Sequence, residues 1–248
     1  MSGALSTPQP GQGALSTPQP GQGALSTPQP GQGALTLAVP RGALFEETLD
    51  RLDALGIATA EVRDNPRRLL FSGPDLGAGV ERIVTMRPSD VPTYVEHGAA
   101  DLGVTGKDVL LESPSREVYE LLDLGYGGCR MVVAARAGDD ALEESLRRLG
   151  VARVATKYPG IATRHFAATG RQAEIVEVKG SVELAPLTGL VDAIVDLTAT
   201  GRTLVENGLE VREEIVGSTA RLIANPVSHK LKAAAIDGLV TGLRELGR

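Results

Sequence analysis

The chain is poor in the groups that most often do chemistry unaided. Its 248 residues hold one cysteine, no tryptophan and three histidines. The single thiol, Cys129, excludes an intrachain disulfide and fits a reducing compartment, so a cytoplasmic location is expected. With no base beside it in sequence, Cys129 reads as a small core residue. His97, His165 and His229 are scattered, and with one cysteine they form no metal-ligand pattern. Net charge is −6, which argues against a broad nucleic-acid-binding face and leaves room only for a local basic pocket. No apolar run approaches the roughly 20 residues that span a membrane. The N-terminus has neither a basic segment nor an apolar segment of the kind that opens a secretory signal, so none is expected.

Charge is missing altogether from residues 1–32, as are aromatics, valine and isoleucine. What stands there is GALSTPQPGQ three times without change, at 3–12, 13–22 and 23–32. Such a composition buries too little apolar area to offset chain entropy, so 1–33 is expected to be a disordered tail. A ten-residue period is also too short for a solenoid, whose units run to about 20 residues or more.

From residue 34 short apolar runs alternate with helical patterns. LTLAV (35–39) ends at Pro40, and Leu44, Leu49, Leu52 and Leu55 then follow near helical spacing. Further strands are expected at 58–62, 67–71 and 80–86, and in DLGVTG, VYELLDL, CRMVVAAR, ARVATKY, EIVEV, AIVDL, LEVREEIV and ARLIANP. Helices are expected between them, SVELAPLTGL among these, with a last helix from about Ser228 to Leu246. The alternation predicts an α/β fold with largely parallel sheet. About ten strands are many for one open sheet. Two lobes are expected: 34–125 with 209–248 as lobe I and 126–208 as lobe II, with a ligand cleft between them.

Three strand ends carry chemistry. DLTATGRTL (196–204) closes an apolar run with Asp196, then packs hydroxyls and Gly201 before a helix. Free backbone N–H groups, threonine hydroxyls and a close-approach glycine suit a phosphate. A capped turn with Thr198 or Thr200 as N-cap accounts for the same letters. TMRPSDVP places Arg87 at a strand end, and DLGVTGKD offers a second anion nest. PRGAL places Arg41 at the first strand–helix turn. Ser181 stands in KGSVELAP rather than a GxSxG elbow, so a hydrolase triad is unsupported.

RPSDVPTYVEHGAADLGVTGKDVLLE, YELLDLGYGGCRMVVA, RVATKYPGIATRHFA, GSVELAPLTGLVDAIVDLTATGRTLVENGLE and ARLIANPVSHKLK together resemble the ATP phosphoribosyltransferase family. The resemblance covers about 34–246 and is to the family's short form, in which no additional C-terminal regulatory domain is expected. It implies two lobes of the periplasmic-binding-protein type (type II) with the active site between them. It implies transfer of the 5-phosphoribosyl group of 5-phosphoribosyl 1-pyrophosphate to N1 of ATP, the first step of histidine biosynthesis. Mg²⁺ is the implied cofactor, carried on substrate phosphates. The implied partner is a regulatory subunit similar to histidyl-tRNA synthetase, in a hetero-octamer, with no role for nucleic acid or membrane.

Residue by residue, the resemblance gives the phosphoribosyl side to Asp196, Thr198, Ala199, Thr200, Gly201, Arg202, Thr203 and Glu183. Asp192 and Asp196 are candidates for ribose or metal contacts, Asp196 the better. Arg87 and Arg67 are the implied catalytic cations, and Arg41, Asp101, Gly103 and Asp108 the implied ATP side. One departure stands out: the family commonly has KGR after the first strand, and here the triplet is Arg41–Gly42–Ala43.

A two-lobed binding protein, a nucleobase phosphoribosyltransferase and a catalytically dead subunit remain as alternatives. Such binding proteins are usually exported, and a nucleobase enzyme would need two adjacent acidic residues before the threonine cluster. Removal of residues 2–32 is expected to leave the melting temperature unchanged in calorimetry; a large drop would show that the tail packs on the domain.

Overall fold

The computed structural model describes residues 34–73 and 76–247; the expected tail at 1–33 lies outside them. The strands are β1 (Leu35–Pro40), β2 (Leu70–Ser72), β3 (Val80–Met86), β4 (Leu102–Gly106), β5 (Tyr119–Asp123), β6 (Cys129–Arg136), β7 (Val151–Thr156), β8 (Gln172–Glu177), β9 (Ala193–Thr198), β10 (Leu209–Ser218) and β11 (Ala220–Ala224). The helices are α1 (Phe45–Ala54), α2 (Ala60–Asp64), α3 (Val91–Glu96), α4 (Lys107–Glu112), α5 (Ala141–Leu149), α6 (Pro159–Ala168), α7 (Leu184–Leu187), α8 (Arg202–Glu206), α9 (Pro226–Leu231) and α10 (Ala233–Leu246).

The strands form two mixed sheets, one per lobe. The first has the order β2-β3-β1-β4-β11-β5 and the second β10-β6-β9-β7-β8. Each has a parallel run of three strands, β3-β1-β4 in the middle of one and β9-β7-β8 at one side of the other. The remaining pairs are antiparallel, so the sheets are less parallel than the alternation predicts. The antiparallel strands include those that carry the chain between the lobes.

There are two such crossings. One runs through Leu124–Gly128 from β5 to β6, and the other is Thr219, between β10 and β11. The crossings lie side by side: Leu124 N–H donates to Ala220 O and Ala220 N–H to Tyr126 O, each at 2.9 Å. Asp123 Oδ1 also accepts from Thr219 Oγ1 (2.8 Å) and from Gly125 N (2.9 Å).

Residues 209–218 do not join lobe I as expected. β10 pairs with β6 along its length. Leu209 is buried in the core of the second sheet, and Ile215 and Val216 pack on its other face. The return to lobe I therefore comes at Thr219. The expected strand at 58–62 is helical from Ala60, with Thr59 and Val62, three residues apart, as its buried positions. The expected strand at 67–71 is Leu70–Ser72. The expected last helix divides at Lys232, which leaves helical geometry (φ −119°).

That break serves a buried ion pair. Lys232 Nζ donates to both Asp101 oxygens at 2.9 Å and to Ala34 O at 2.7 Å. Asp101 also accepts from Thr36 N (2.8 Å) and Ser228 Oγ (2.6 Å), tying β1, β4 and α9 together.

A second clasp joins the lobes away from the crossings. Glu112, which ends α4 in lobe I, accepts from Gly160 N (2.7 Å) and Ile161 N (2.9 Å) in the first turn of α6 in lobe II. Arg164 on α6 answers by donating to Leu111 O. Leu111 itself packs on the lobe II core.

Removing one partner of a buried pair leaves the other charge uncompensated. Asp101→Ala is therefore expected to lower stability by about 3 kcal/mol, read as a lower urea midpoint. An unchanged midpoint would mean that the pair contributes nothing.

Candidate functional site

Between the lobes lies a cavity of about 790 Å³. Its lining follows from the topology, because the parallel strands of both sheets point their C-terminal ends at it. In lobe I, β1 leads to Ala43 and Leu44, β3 to Arg87–Ser89, and β4 to Gly106 and Asp108. In lobe II, β7 leads to Lys157 and Tyr158, β8 ends at Glu177 and leads to Val178 and Lys179, and β9 supplies Leu197 and Thr198 before Ala199. The crossings contribute Gly127–Cys129, Ser218 and Thr219.

Glycines let these segments come close. A Cβ on Gly106 would stand 2.1 Å from Asp108 Oδ1, so its absence lets that carboxylate fold back over the strand end. Asp108 is 7% exposed and accepts from Ser218 Oγ at 2.8 Å, while its own N–H donates to the same oxygen at 3.0 Å. Gly127 has φ +65°, and a Cβ there would stand 2.2 Å from Leu44 Cδ2.

The TATGRT turn follows β9. Thr198 Oγ1 accepts from Gly201 N at 2.8 Å, and Thr200 Oγ1 from Arg202 N at 3.3 Å. Gly201 (φ +77°) is the N-cap residue of α8, in place of either threonine. Thr198 and Ala199 line the cavity. Arg202 turns away to Glu206 (2.7 Å), and Thr203 is exposed on α8.

Asp196 is 8% exposed and holds Leu197 N at 2.9 Å. Its Oδ2 faces Lys157 Nζ at 3.8 Å. Burial pushes its carboxyl above the usual range; Leu197 N–H and Lys157 oppose the shift, and Glu183 adds to it. Tyr158 is pushed up more strongly, first by burial and then by the charges of Asp108 and Asp196. Glu183, partly buried before α7, thus acts on the Asp196 side of the cleft. Among the described residues no group of His, Cys, Asp and Glu is placed to hold a metal ion.

Arg87, Asp108, Thr198 and Ala199 are therefore brought together on the cavity wall, with Asp196 and Glu183 close behind. Other expected residues are engaged elsewhere. Arg41 donates to Thr85 Oγ1 (3.0 and 2.8 Å), Arg68 O (2.7 Å) and Pro66 O, and so pins the 66–68 turn to β3. Arg67 is exposed on that turn and is absent from the cavity wall. Asp101 sits before β4, at the end of the strand away from the cavity, with its oxygens bound to Lys232 and Ser228. Gly103 is a packing glycine: a Cβ would stand 2.5 Å from Val91 and 2.8 Å from Val95, on the helix laid across β4. Asp192 likewise lies at the far end of β9, where it accepts from Arg153 N at 2.7 Å.

Lys157, Tyr158, Lys179 and Ser218 were not singled out from sequence. Lys157 directly follows the apolar strand RVAT and Lys179 follows EIVEV, as Arg87 follows RIVTM. Reading every strand end alike finds both lysines. Nothing local marks Tyr158 or Ser218.

The profile of the ATP phosphoribosyltransferase family, HisG, matches residues 87–245. An ATP phosphoribosyltransferase of Rubrobacter xylanophilus is 54% identical over 213 residues, covering 86% of this chain and 96% of its own. A solved chain of the ATP phosphoribosyl transferase (HisG:HisZ) complex from Thermotoga maritima superposes with a TM-score of 0.72 at 37% identity, over 86% of this chain and 98% of that one. ArgBP from T. maritima, at 15% identity, a TM-score of 0.50 and 86% and 89% coverage, shows the periplasmic-binding-protein architecture alone. The chain belongs to the ATP phosphoribosyltransferase family, whose enzymes catalyse the first step of histidine biosynthesis.

Proposed function

We propose that the inter-lobe cleft holds 5-phosphoribosyl 1-pyrophosphate against lobe II and ATP against lobe I, and joins them through adenine N1. Arg87 faces the Thr198–Ala199 turn across one cavity, and this placement supports the reading. The backbone N–H groups and hydroxyls of Thr198–Thr203 take the 5-phosphate, and Asp196 accepts from the sugar hydroxyls. Glu183 lines the same side. Asp108 lies on the ATP side, where Ala43 leaves room rather than charge.

Adenine N1 is neutral and nucleophilic at pH 7, so no strong base is required. The N1–C1′ bond forms as the C1′–O bond breaks, and the electron pair leaves with pyrophosphate. The demands on the protein are alignment and positive charge at the leaving group. Arg87 supplies such a charge from lobe I. Mg²⁺ enters with the substrate phosphates, as is usual for this ion. The reaction belongs to the cytoplasm, and among the described residues no helix is long and apolar enough to cross a membrane. A histidyl-tRNA-synthetase-like regulatory subunit, in a hetero-octamer, is the proposed partner; the HisG:HisZ complex of T. maritima supports it.

Incubation with ATP, 5-phosphoribosyl 1-pyrophosphate and Mg²⁺, with and without the regulatory subunit, is expected to give the N1 adduct and pyrophosphate. No product under either condition would leave a two-lobed binding protein as the reading. Arg87→Ala is expected to lower kcat about 100-fold with a smaller effect on KM; a raised KM at unchanged kcat would remove Arg87 from the transition state.

Asp196 generates a further test. Its carboxyl is raised on folding, so ionisation works against the folded state: the stability of the protonated form is full below the unfolded pKa and lost as pH rises through the folded one. Asp196→Asn is therefore expected to abolish turnover yet raise the melting temperature at pH 7. That gain should shrink toward zero near pH 3; a lowered melting temperature at pH 7 would refute it.

A further inference from the structure

We infer that Lys157 is a second catalytic cation of the transfer, contacting the departing pyrophosphate from lobe II while Arg87 does so from lobe I. The inference rests on the reading of the cleft given above.

The sheet register places it. β7 and β9 run parallel with Thr156 beside Val195, so the next residues, Lys157 and Asp196, stand side by side on one face as both strands end. Ala155 and Ile194, two residues earlier, share a buried cluster on that face with Val182 and Leu204, from the segments that begin α7 and α8. Lys157 thus emerges between the sugar-facing carboxylate and the open cavity, and its side chain is 40% exposed.

Its ammonium is available. Asp196 Oδ2 at 3.8 Å is outside hydrogen-bond range, and no hydrogen bond to another described residue engages it. Other nearby cations are held more closely: Lys107 by Glu120 at 2.6 Å, Arg202 by Glu206 at 2.7 Å and Arg130 by Glu214 at 3.1 Å. Lys179 is 89% exposed, where solvent screens its charge.

The reaction also requires such a group. Pyrophosphate gains negative charge as the C1′–O bond breaks, and a flexible point charge can follow the moving oxygens. Asp108 lies on the same cavity wall as Lys157, and Asp196 lies beside Lys157. A cation beside Asp196 offsets the nearer carboxylate, so that the polyanion can lie against the sheet edge.

The test titrates inorganic pyrophosphate with Mg²⁺ into the full chain by calorimetry, beside steady-state kinetics. Lys157→Met is expected to weaken pyrophosphate at least about tenfold and to lower kcat about 100-fold, with KM for ATP little changed. Lys157→Arg should recover most of the pyrophosphate affinity. Should Lys157→Met unfold, Lys157→Gln carries the same expectation. Wild-type pyrophosphate affinity and kcat in the uncharged variants would overturn the inference. Absence of the N1 adduct with the unaltered chain, both with and without the regulatory subunit, would instead overturn the reading of the cleft, and the pyrophosphate titration would still report on Lys157.

Discussion

The site depends on two crossing strands held in contact. The bonds linking Leu124, Ala220 and Tyr126 keep the only two connections between the described lobes adjacent. Adjacent connections define one axis, and each sheet then presents the C-terminal ends of its parallel strands toward the other. The residues after β1, β3 and β4 face those at the ends of β7, β8 and β9 for this reason. Asp108 and Ser218 reinforce the same place, one from α4 and one from the last residue of β10.

Charge is distributed to match. A chain of net charge −6 that takes two polyanions must concentrate its positive groups. Most arginines here serve the frame. Arg41 pins a turn, Arg164 clasps the lobes, and Arg221 pairs with Asp123 beside the crossings at 2.7 Å. The cavity wall keeps Arg87, Lys157 and Lys179 against Asp108 and Glu177. Burial of Asp196 is the opposing cost: its carboxyl is held against its solvation, and burial pushes it above the usual range.

Much of this was legible in the letters. An apolar run closed by glycine, proline or hydroxyls marked β1, β3, β4 and β9, because hydrophobic period and turn chemistry are local. The turn at 198–203 and Arg87 were picked out by that pattern, and Thr198, Ala199 and Arg87 line one cavity. What was not legible depends on distant partners. The sheet that β10 joins is decided by β6, more than seventy positions away at Leu209↔Arg136. Arg41 looked free until Thr85 and the 66–68 turn were placed beside it. Asp101 and Gly103 sit within a family motif, yet the motif does not say which end of β4 faces the ligand. The segment 58–62 failed for another reason: buried Thr59 and Val62 are three apart, a spacing that suits a short helix, and the run is too short for the letters to separate it from a strand.

The clasp between Glu112 and α6 has a geometric consequence. A Cβ on Gly160 would stand 2.7 Å from Glu112 O and 3.0 Å from its Oε1. The spacing of the lobes opposite the crossings is thus set by a carbon atom that is not there. Any side chain at position 160 is a wedge, and because the crossings cannot slide, its thickness is converted into rotation about them. The width of the inter-lobe cleft is written at a backbone position that is absent from its wall.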